Sequence, residues 1–445
     1  MEMEDRYQAT LAHLFSQFPQ YQKVGGSAYK PGLACMLELD KAHGSPHKRF
    51  HSIHVAGTNG KGSVSHMLAA ILQQAGYSVG LYTSPHLMDF RERIKVNGER
   101  IPKEEVCQFV EKHQALLTGL RPSFFEITTA MAFHYFARQR VDIAVIETGL
   151  GGRLDSTNII EPVLAIITNI GLDHCEYLGD TLPMIAVEKA GIIKPRVPVV
   201  VGERDPLTDP VFVQQAQGLR SRICFAGDYY KIEEVIQEDG YQRFYVQRDG
   251  KIWSEDYLLD LKGAYQQKNL LTVMMAVELL QKMGKMLGRH LLHIEVIKKG
   301  LMHAARLTGL RGRWELISQK PRIVVDAAHN AHGIKEAVAQ LQKERYSHLH
   351  FVFGVVVEKD LGSILPLLPK EAIYYFTQAQ IPRALDAPVL AYRCRQEGLR
   401  GEVYEHVSEA LSAATSKAGP QDLIFVGGSI FVVAEVLEMQ SITRR

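Results

Sequence analysis

The sequence predicts an α/β protein with two domains, each built on a mainly parallel sheet covered by helices. Residues 141–147, 163–168 and 197–202 are continuous apolar runs, as expected of strands buried on both faces of a parallel sheet. Between residues 64 and 72 the apolar residues recur at i, i+3, i+4, i+7 and i+8, which indicates one face of a helix. Strands that alternate with helices in this way are typical of a parallel sheet with helices on both sides.

The first predicted strand, residues 50–56, runs into a glycine-rich turn, and the helix that follows ends at Gly76, a favourable C-terminal cap. The character of the sequence changes between about residues 228 and 261. There, two segments flank Glu238-Asp239-Gly240 and predict a small β-hairpin region with an acidic turn.

A second alternating series begins beyond the connector GLRGR at residues 309–313. It predicts a smaller, Rossmann-like α/β domain, with a helix at residues 333–344 and strands at residues 322–326, 350–357, 373–377 and 423–426. We therefore place a domain boundary near residue 308, which gives an N-terminal domain of residues 1–307 and a C-terminal domain of residues 308–445.

Charge and cysteine usage narrow the functional classes. The 445 residues include 51 Lys and Arg against 49 Asp and Glu, a net charge of +2 that argues against a nucleic-acid partner. The five cysteines are scattered without a CxxC pair, so neither a zinc ribbon nor a disulfide framework is expected. The first residues lack the pattern of a signal peptide, and no apolar run approaches the roughly 18 residues needed to span a bilayer. We therefore expect a cytoplasmic protein with no membrane partner.

The strongest functional signal is the segment HVAGTNGKGS at residues 54–63, between a predicted strand and a predicted helix. Small residues let backbone N–H groups approach a phosphate, and the helix N-terminus favours negative charge. Lys61 can neutralise nucleotide phosphates, and Ser63 can assist magnesium or phosphate. The match to G-x-x-x-x-G-K-[ST] is imperfect, because the first glycine is closer and Gly62 separates Lys61 from Ser63. The alternative, a glycine-rich turn with a solvated lysine, is disfavoured by the strand-helix context.

Glu147 and the glycines that follow it gain a functional interpretation from their place at a predicted strand end. Glu147 lies at the carboxyl edge, where open α/β sheets bind ligands, and its carboxylate suits magnesium. Glycines at residues 149, 151 and 152 let a ligand approach the backbone. The alternatives are a carboxylate that caps the glycine-rich turn and a long turn closed by a surface salt bridge.

Several further candidates keep a structural alternative beside the functional one. His174 can be a polar loop residue bonded to the neighbouring aspartate. Lys189 can be an ion-paired surface lysine, and Asn269 can be a helix N-cap. Phe124 and Phe125 can pack against a flat ring or belong to the core.

The phosphate-loop segment GTNGKGS, residues 57–63, resembles that of the ATP-dependent Mur ligase superfamily. TSPHL at residues 83–87 and ERI at residues 92–94 are similar to the folylpolyglutamate synthase and dihydrofolate synthase branch of that superfamily. The remaining matches follow in order along nearly the whole chain: FFE at 124–126, ETGLGGRLDSTN at 147–158, LDH at 172–174, EKAG at 188–191, GR at 312–313 and DAAHN at 326–330.

The resemblance implies roles for particular residues. It implies nucleotide contacts at Gly57, Thr58, Asn59, Gly60, Lys61, Gly62, Ser63, Asn269, Arg313 and Asp326. It implies catalytic roles for Lys61, Lys189, Arg313 and His329, with Lys189 carbamylated. It implies two magnesium ions, one served by Ser84 and Glu147 and the other by His174, a residue that manganese would also suit. The substrate contacts that it implies are Ser123, Phe124, Phe125, Glu126, Leu154, Asp155 and Ser156. The segment before Lys359-Asp360 is more apolar than expected of the family, so we leave that loop out of the catalytic set.

The function implied by the resemblance is that of an ATP-dependent amide ligase that works through an acyl phosphate and releases ADP and phosphate. Its expected substrates are dihydropteroate, reduced folates and L-glutamate, and the expected oligomeric state is a monomer. Folylpolyglutamate synthase activity alone stays open. A cell-wall-precursor ligase is disfavoured because TSPHL, ERI and LGGRLD match the folate branch. A phosphate-loop NTPase without ligase chemistry is disfavoured because the chain has no familiar switch motif.

Overall fold

The N-terminal domain is built on a mixed sheet, and the structure, a computed structural model, describes residues 2–18, 32–251, 254–284 and 292–443. Within those residues the sheet has eight strands: β1 (His51–Ala56), β2 (Val79–Tyr82), β3 (Ile94–Val96), β4 (Glu99–Arg100), β5 (Ile143–Glu147), β6 (Leu164–Ile167), β7 (Val199–Val201) and β8 (Ile223–Phe225). They lie in the order β4-β3-β2-β5-β1-β6-β7-β8.

The central strand β1 pairs in parallel with β5 on one side and with β6 on the other. Ile53 is level with Val145 and with Leu164, so the three strands end at the same edge of the sheet. The predicted α/β class with a mainly parallel sheet is confirmed. The sequence analysis does not identify β3 and β4, which extend the sheet as an antiparallel edge beside β2.

Helices cover both faces of this sheet. They are α1 (Met3–Gln17), α2 (Ala34–Ala42), α3 (Lys61–Gln74), α4 (Lys103–Leu120), α5 (Phe124–Arg138), α6 (Cys175–Leu178), α7 (Leu182–Ala190), α8 (Asp209–Gly218), α9 (Ala226–Tyr229), α10 (Gln266–Lys282), α11 (Ile294–Met302) and α12 (Ala304–Thr308).

The helix that follows β1, α3, is buried around its whole circumference rather than on one face. All of its residues from Ser63 to Leu72 are buried, because α10, α11 and α12 pack against it on the side away from the sheet. Gly300 of α11 permits the close approach, since a Cβ there would lie 2.5 Å from Ile71 Cα. Each fully buried Leu or Met stabilises the fold by about 1.5–3 kcal/mol. This packing holds the first turn of α3 in a fixed position.

A small antiparallel sheet packs beside α10, at the position of the expected hairpin. It contains β9 (Tyr230–Gln237), β10 (Gln242–Arg248) and β11 (Ser254–Leu259), of which β11 is not identified in the sequence analysis. Glu278 of α10 holds this sheet: its carboxylate accepts from Tyr230 Oη at 2.7 Å and from Arg248 Nε at 3.2 Å. Lys282 Nζ donates to the same carboxylate at 2.7 Å.

The C-terminal domain has a second sheet, parallel except for its first strand. Its strands are β12 (Glu315–Gln319), β13 (Arg322–Val325), β14 (Leu349–Phe353), β15 (Ile373–Phe376), β16 (Arg400–Val403) and β17 (Leu423–Gly427), in the order β12-β13-β17-β14-β15-β16. Its helices are α13 (Ala331–Leu341), α14 (Leu361–Ile364), α15 (Ala387–Gln396), α16 (Val407–Lys417) and α17 (Ile430–Thr443).

The strand β14 ends four residues earlier than the apolar run that predicts it, which extends to residue 357. Val355 and Val356 are buried outside the sheet, so their apolar character reflects packing rather than strand pairing. The domain boundary near residue 308 stays a prediction. No helix in the described ranges has both the length and the apolar character needed to cross a membrane.

We expect Glu278→Gln to weaken the fold in a pH-dependent way. Burial alone raises the pKa of Glu278, but its hydrogen bonds with Arg248, Lys282 and Tyr230 outweigh burial and hold the pKa at about 2. A carboxylate with a lowered pKa stabilises the fold above its unfolded-state pKa, and this contribution disappears as the pH falls towards the folded-state value. The variant should lose about 2 kcal/mol of the free energy of unfolding at pH 7, measured by urea denaturation.

The difference in the free energy of unfolding between the wild type and Glu278→Gln should decrease steadily as the pH is lowered from about 5 towards 2. Glu38→Gln, at an exposed position of α2, is the matched control and should leave the urea midpoint unchanged. An equal loss for both variants, or a loss at Glu278 that does not vary with pH, would contradict the assignment.

Candidate active site

The loop between β1 and α3 has a backbone that requires glycine at two positions. Gly57 has a φ of +150° and Gly60 a φ of +81°. A Cβ on Gly57 would lie 1.8 Å from Thr168 Oγ1, and a Cβ on Gly60 would lie 2.3 Å from Asn269 Oδ1. The two glycines therefore let the loop approach the end of β6 and the first turns of α10.

Lys61 and Ser63 lie in the first turn of α3, as the phosphate-loop interpretation expects. Lys61 Nζ donates to the carbonyl oxygens of Gly57, at 2.9 Å, and Thr58, at 3.1 Å, so its side chain curls over the loop. The cap residue of α3 is Gly60, which has no side chain to accept from the first backbone N–H groups of the helix. The first backbone N–H groups of α3 can therefore bind an anion.

Glu147 is a buried carboxylate at the end of β5, 3% exposed. Its Oε2 accepts a long hydrogen bond from the backbone of Ser84, at 3.4 Å. Burial raises the pKa of Glu147 to about 7, although the charges of Lys61 and Arg313 oppose this. A Cβ on Gly62 would lie 3.8 Å from both Glu147 Oε2 and Arg313 Nη2, so these groups face the phosphate loop together. A weakly bonded buried carboxylate with a serine beside it fits a divalent cation.

His174 lies in the loop after β6, in a left-handed conformation with a φ of +53°. Burial lowers the pKa of His174 to about 4 despite the adjacent Asp173, so the ring is neutral at pH 7 and can offer a lone pair to a metal. In the part of the chain that the structure describes, no three His, Cys, Asp or Glu side chains are grouped to hold a metal ion. These residues suit a cation that arrives with phosphate and water ligands, as magnesium does.

Lys189 of α7 is 4% exposed, and its Nζ donates to Gly57 O at 2.9 Å, the carbonyl that also accepts from Lys61. Burial and the charge of Lys61 lower the pKa of Lys189 to about 7. The neighbouring Glu188 instead forms an ion pair with Arg153, at 2.8 Å. Lys189 is therefore a buried amine at the phosphate loop and not an ion-paired surface lysine.

Asp173 connects the two domains. Its Oδ1 accepts from Lys359 Nζ at 2.8 Å, and its Oδ2 accepts from Asn330 Nδ2 at 2.9 Å. Burial raises the pKa of Asp173, but the hydrogen bond with His329 and the nearby cations outweigh burial and hold it well below its usual range. Asn330 also exchanges amide hydrogen bonds with Asn59 of the phosphate loop, at 3.1 and 3.2 Å.

Arg313 and Asp326 come from the C-terminal domain and face the phosphate loop. Asp326 is 2% exposed, and its Oδ2 accepts from Trp314 N at 2.8 Å and from Tyr265 Oη at 2.6 Å. Its Oδ1 accepts from Ala328 N at 2.8 Å. The residue expected to contact a nucleotide therefore also links the C-terminal domain to the start of α10.

Two adjoining cavities lie between the domains. The first cavity is lined by the phosphate loop together with Glu147, Asn269, Arg313 and Asp326. The second cavity is lined by the glycine-rich residues 149–151 together with His174, Lys189 and Lys359. The residues that line both cavities are Thr58, Lys61, Ser84, Pro85 and His329.

The segment expected to bind substrate at the start of α5 makes structural contacts. Ser123 and Glu126 form a capping box, in which Ser123 Oγ accepts from Glu126 N at 3.2 Å and Glu126 Oε2 accepts from Ser123 N at 2.6 Å. Phe124 lies in the core, and the ring of Phe125 covers Gly149, where a Cβ would lie 2.5 Å from Phe125 Cζ.

Asp155 organises the glycine-rich loop after β5. Its Oδ2 accepts from the backbone N–H groups of Gly149 and Leu150, both at 2.8 Å, and its Oδ1 accepts from the backbone and hydroxyl of Thr157. The residues 123–126 and 154–156, Leu154 and Ser156 among them, do not belong to the described lining of the two cavities. Their contact with substrate stays a prediction.

Several residues that line the cavities lie outside the predicted set, among them Lys359, Tyr265 and Lys268. Lys359 reaches the second cavity, and Tyr265 and Lys268 line the first. Lys268 Nζ lies 2.9 Å from Glu203 and 3.0 Å from Glu336 of the C-terminal domain. The sequence holds a signal that could have identified two of them. Tyr265 and Lys268 precede Asn269 by four residues and one residue, at the polar start of an otherwise apolar helix.

Two family models match the chain, and its relatives cover nearly all of it. The Mur ligase middle domain matches residues 55–277, and the Mur ligase glutamate ligase domain matches residues 312–430. A Bacillus subtilis dihydrofolate synthase/folylpolyglutamate synthase is 35% identical over 421 residues, 92% of this chain and 94% of that protein. A Haloferax volcanii protein named as a probable bifunctional folylpolyglutamate synthase/dihydropteroate synthase is 34% identical over 91% of this chain, which spans 48% of that protein.

Solved structures show the same fold. The crystal structure of Mycobacterium tuberculosis folylpolyglutamate synthase complexed with ADP and AMPPCP is 29% identical in sequence. It superposes with a TM-score of 0.87 over 99% of each chain.

We expect Gly60→Ala to destabilise the protein, because a Cβ at a φ of +81° is strained and meets the Asn269 amide. The loss should be about 2 kcal/mol in the free energy of unfolding, measured by urea denaturation. Gly62→Ala is the matched control: the nearest atoms to its Cβ lie at an ordinary 3.8 Å, and alanine favours the helix by up to about 1 kcal/mol. A similar loss for both variants would show that the conformation of the loop does not require Gly60.

Proposed function

The chain belongs to the Mur ligase family, and from this premise we propose that it is an ATP-dependent ligase that joins L-glutamate to dihydropteroate and to reduced folates. The folylpolyglutamate synthase and dihydrofolate synthase relatives cover nearly the whole chain, which supports the folate branch. The products are an amide, ADP and phosphate.

The observation that carries this proposal is that two cavities adjoin and share Lys61 and His329. The first cavity, formed by the phosphate loop, Asn269 and Asp326, accommodates ATP with its phosphates at the N-terminus of α3. The second cavity accommodates the acceptor carboxylate and the glutamate amine. A phosphoryl group can therefore pass from one cavity to the other without release into solvent.

A carboxylate is a poor electrophile, so it requires activation before an amine can attack it. In the proposed sequence a carboxylate oxygen attacks the γ-phosphorus of ATP, ADP leaves, and an acyl phosphate forms. The neutral amine of glutamate then attacks the carbonyl carbon, phosphate leaves, and the amine loses its proton. Lys61 from the N-terminal domain and Arg313 from the C-terminal domain stabilise the negative charge that spreads over the transferred group.

Two magnesium sites are part of the proposal. Ser84 and Glu147 would hold one ion at the phosphate loop, and the neutral ring of His174 would serve the second. Bound magnesium neutralises phosphate oxygens and orients them. Support comes from the buried Glu147 carboxylate, whose Oε2 accepts a long hydrogen bond of 3.4 Å from the backbone at Ser84.

Carbamylation of Lys189 is the further part of the proposed site. The neutral amine adds to carbon dioxide, forms an N–C bond and releases a proton, which turns a cation into an anion with two oxygens. Only a neutral amine reacts, and the lowered pKa of Lys189, about 7, leaves much of it neutral at physiological pH. The position of Lys189, beside the phosphate loop and in the second cavity, suits an anion that orients a metal ion.

We propose that residues 123–126 and 154–156 contribute to substrate binding by shaping the loops around the second cavity. Phe125, whose ring covers Gly149, would lie beside the flat ring of the substrate. We propose a monomer, because one chain supplies both faces of the cleft. A cytoplasmic location is supported by the cysteines, since Cys107, Cys175, Cys224 and Cys394 are free thiols in the described structure.

We expect sustained ADP release when ATP and L-glutamate are supplied with either dihydropteroate or tetrahydrofolate. A ligase needs both the acceptor and the amine to turn over, whereas a simple NTPase needs neither. Lys61→Ala should abolish release in a folded protein, because its side chain faces the phosphate loop and its loss opens no core cavity. The exposed Lys48→Ala is the matched control. ADP release that does not depend on glutamate would contradict the ligase assignment.

We expect Lys189 to carry the mass of one additional carboxyl group when intact protein is analysed near neutral pH. Lys189→Ala should lose ligation, and short-chain carboxylates should partly restore it by filling the anion position. Lys189→Arg keeps the positive charge but cannot be carbamylated, so it should stay inactive with or without added carboxylate. An unmodified Lys189 together with an active alanine variant would exclude it from the mechanism.

A further inference from the structure

The segment that leads into α10 and the first turn of that helix bind the C-terminal domain at three residues, Ala264, Tyr265 and Lys268. Ala264 N donates to Gln340 Oε1 at 3.0 Å, and Lys268 Nζ pairs with Glu336 at 3.0 Å. Between them, Tyr265 Oη donates to Asp326 Oδ2 at 2.6 Å. The carboxylates that Tyr265 and Lys268 contact, Asp326 and Glu336, both line the first cavity.

Asp326 in turn holds the backbone beside Arg313. Trp314 has a φ of +46°, a conformation that is costly for a bulky residue, and its N–H donates to Asp326 Oδ2 at 2.8 Å. The same oxygen accepts from Tyr265. Strained backbone persists where surrounding contacts over-determine it, and here the Asp326 carboxylate supplies one of those contacts.

The segment that precedes Trp314 is held just as closely. Gly312 N donates to Glu315 Oε2 at 2.8 Å, and Gly312 O accepts from Ala327 N at 3.0 Å. Hydrogen bonds therefore hold the backbone on both sides of Arg313, at Gly312 and at Trp314. The Arg313 guanidinium itself donates to Gly312 O at 3.1 Å. A shift of Asp326 would move the backbone at Trp314, on one side of Arg313. The Arg313 side chain would then point in a different direction.

The Tyr265 ring is also placed closely. A Cβ on Gly263 would lie 2.9 Å from Tyr265 Cε1 and 3.2 Å from Trp314 Cβ. Gly263 thus leaves room for both the tyrosine ring and the Cβ of Trp314. The hydroxyl of Tyr265 can reach Asp326 only when α10 and the C-terminal domain are in contact.

We infer that Tyr265 is a positioning residue for phosphoryl transfer: through Asp326 and the backbone of Trp314, its hydroxyl fixes Arg313 over the phosphate loop when the domains meet. This inference rests on the proposed function, in which Arg313 stabilises the transferred group. Tyr265 itself touches no reacting atom. It couples contact between the domains to the geometry of the cation that the C-terminal domain supplies.

The test is Tyr265→Phe, which removes the hydroxyl and keeps the ring. The expected result is a decrease in kcat of about tenfold to a hundredfold, because a small misplacement of a catalytic group costs this much. The KM for ATP and the affinity for ADP should change much less than kcat, since the phosphate loop is intact and Asp326 keeps its hydrogen bonds with Trp314 N and Ala328 N. Tyr230→Phe is the matched control: it removes a hydroxyl that donates to Glu278 at 2.7 Å, within the N-terminal domain, and should leave kcat unchanged.

A double-mutant cycle with Arg313→Ala separates positioning from general loss of structure. If Tyr265 acts through Arg313, its hydroxyl has no further effect on kcat once the guanidinium is removed, so the two losses are not additive. Additive losses would mean an independent structural role and would overturn the inference. Thermal unfolding of each variant verifies that the fold is retained.

The outcomes distinguish this inference from the proposed function. A wild-type protein that releases no ADP with either acceptor overturns the proposed function and this inference with it. A wild-type protein that ligates, together with Tyr265→Phe at normal kcat, overturns only the inference. A loss confined to ATP affinity, with kcat unchanged, overturns it as well, because it would place the hydroxyl on the nucleotide and not behind Arg313.

Discussion

The parallel pairing of β1 with β5 and β6 is the constraint on which the candidate site depends. Because these strands run in one direction and end at one edge, the phosphate loop, Glu147 and the segment that leads to His174 emerge side by side. Close packing then narrows the site. Gly57 and Gly60 lie against Thr168 and Asn269, so the position of the loop depends on its neighbours as much as on its own sequence.

Two carboxylates, the half-buried Asp173 and the buried Asp326, join the domains in a reciprocal way. Asp173 belongs to the N-terminal domain and accepts from Lys359 and Asn330 of the C-terminal domain. Asp326 belongs to the C-terminal domain and accepts from Tyr265 of the N-terminal domain. A buried charge is costly unless it is paired and hydrogen-bonded, and each domain supplies the partners that the other one needs. Separation of the domains would leave only water to replace these partners, so the contacts favour the arrangement in which the domains touch.

Burial shifts the pKa values of two groups at the site in opposite directions, and for the same reason. It raises the pKa of Glu147 and lowers the pKa of Lys189, both to about 7, because a buried position disfavours the charged form of either group. The charge of Lys61 opposes the first shift and adds to the second. Both groups are therefore suited to neutral pH chemistry, Glu147 as a partner for a cation and Lys189 as a reactive amine.

The sequence by itself determined the α/β class and the phosphate loop, because hydrophobic periodicity and a glycine-rich strand-helix turn are local patterns. The family matches extended this to Arg313 and Asp326. The tertiary structure alone decided how these residues meet. Lys359 follows an apolar segment and lies outside the catalytic set that the sequence predicts, yet it reaches Asp173, and Tyr265, for which the sequence predicts no role, donates to Asp326. Such contacts join residues more than 60 positions apart, and only the packing of one domain against the other brings them within hydrogen-bond distance.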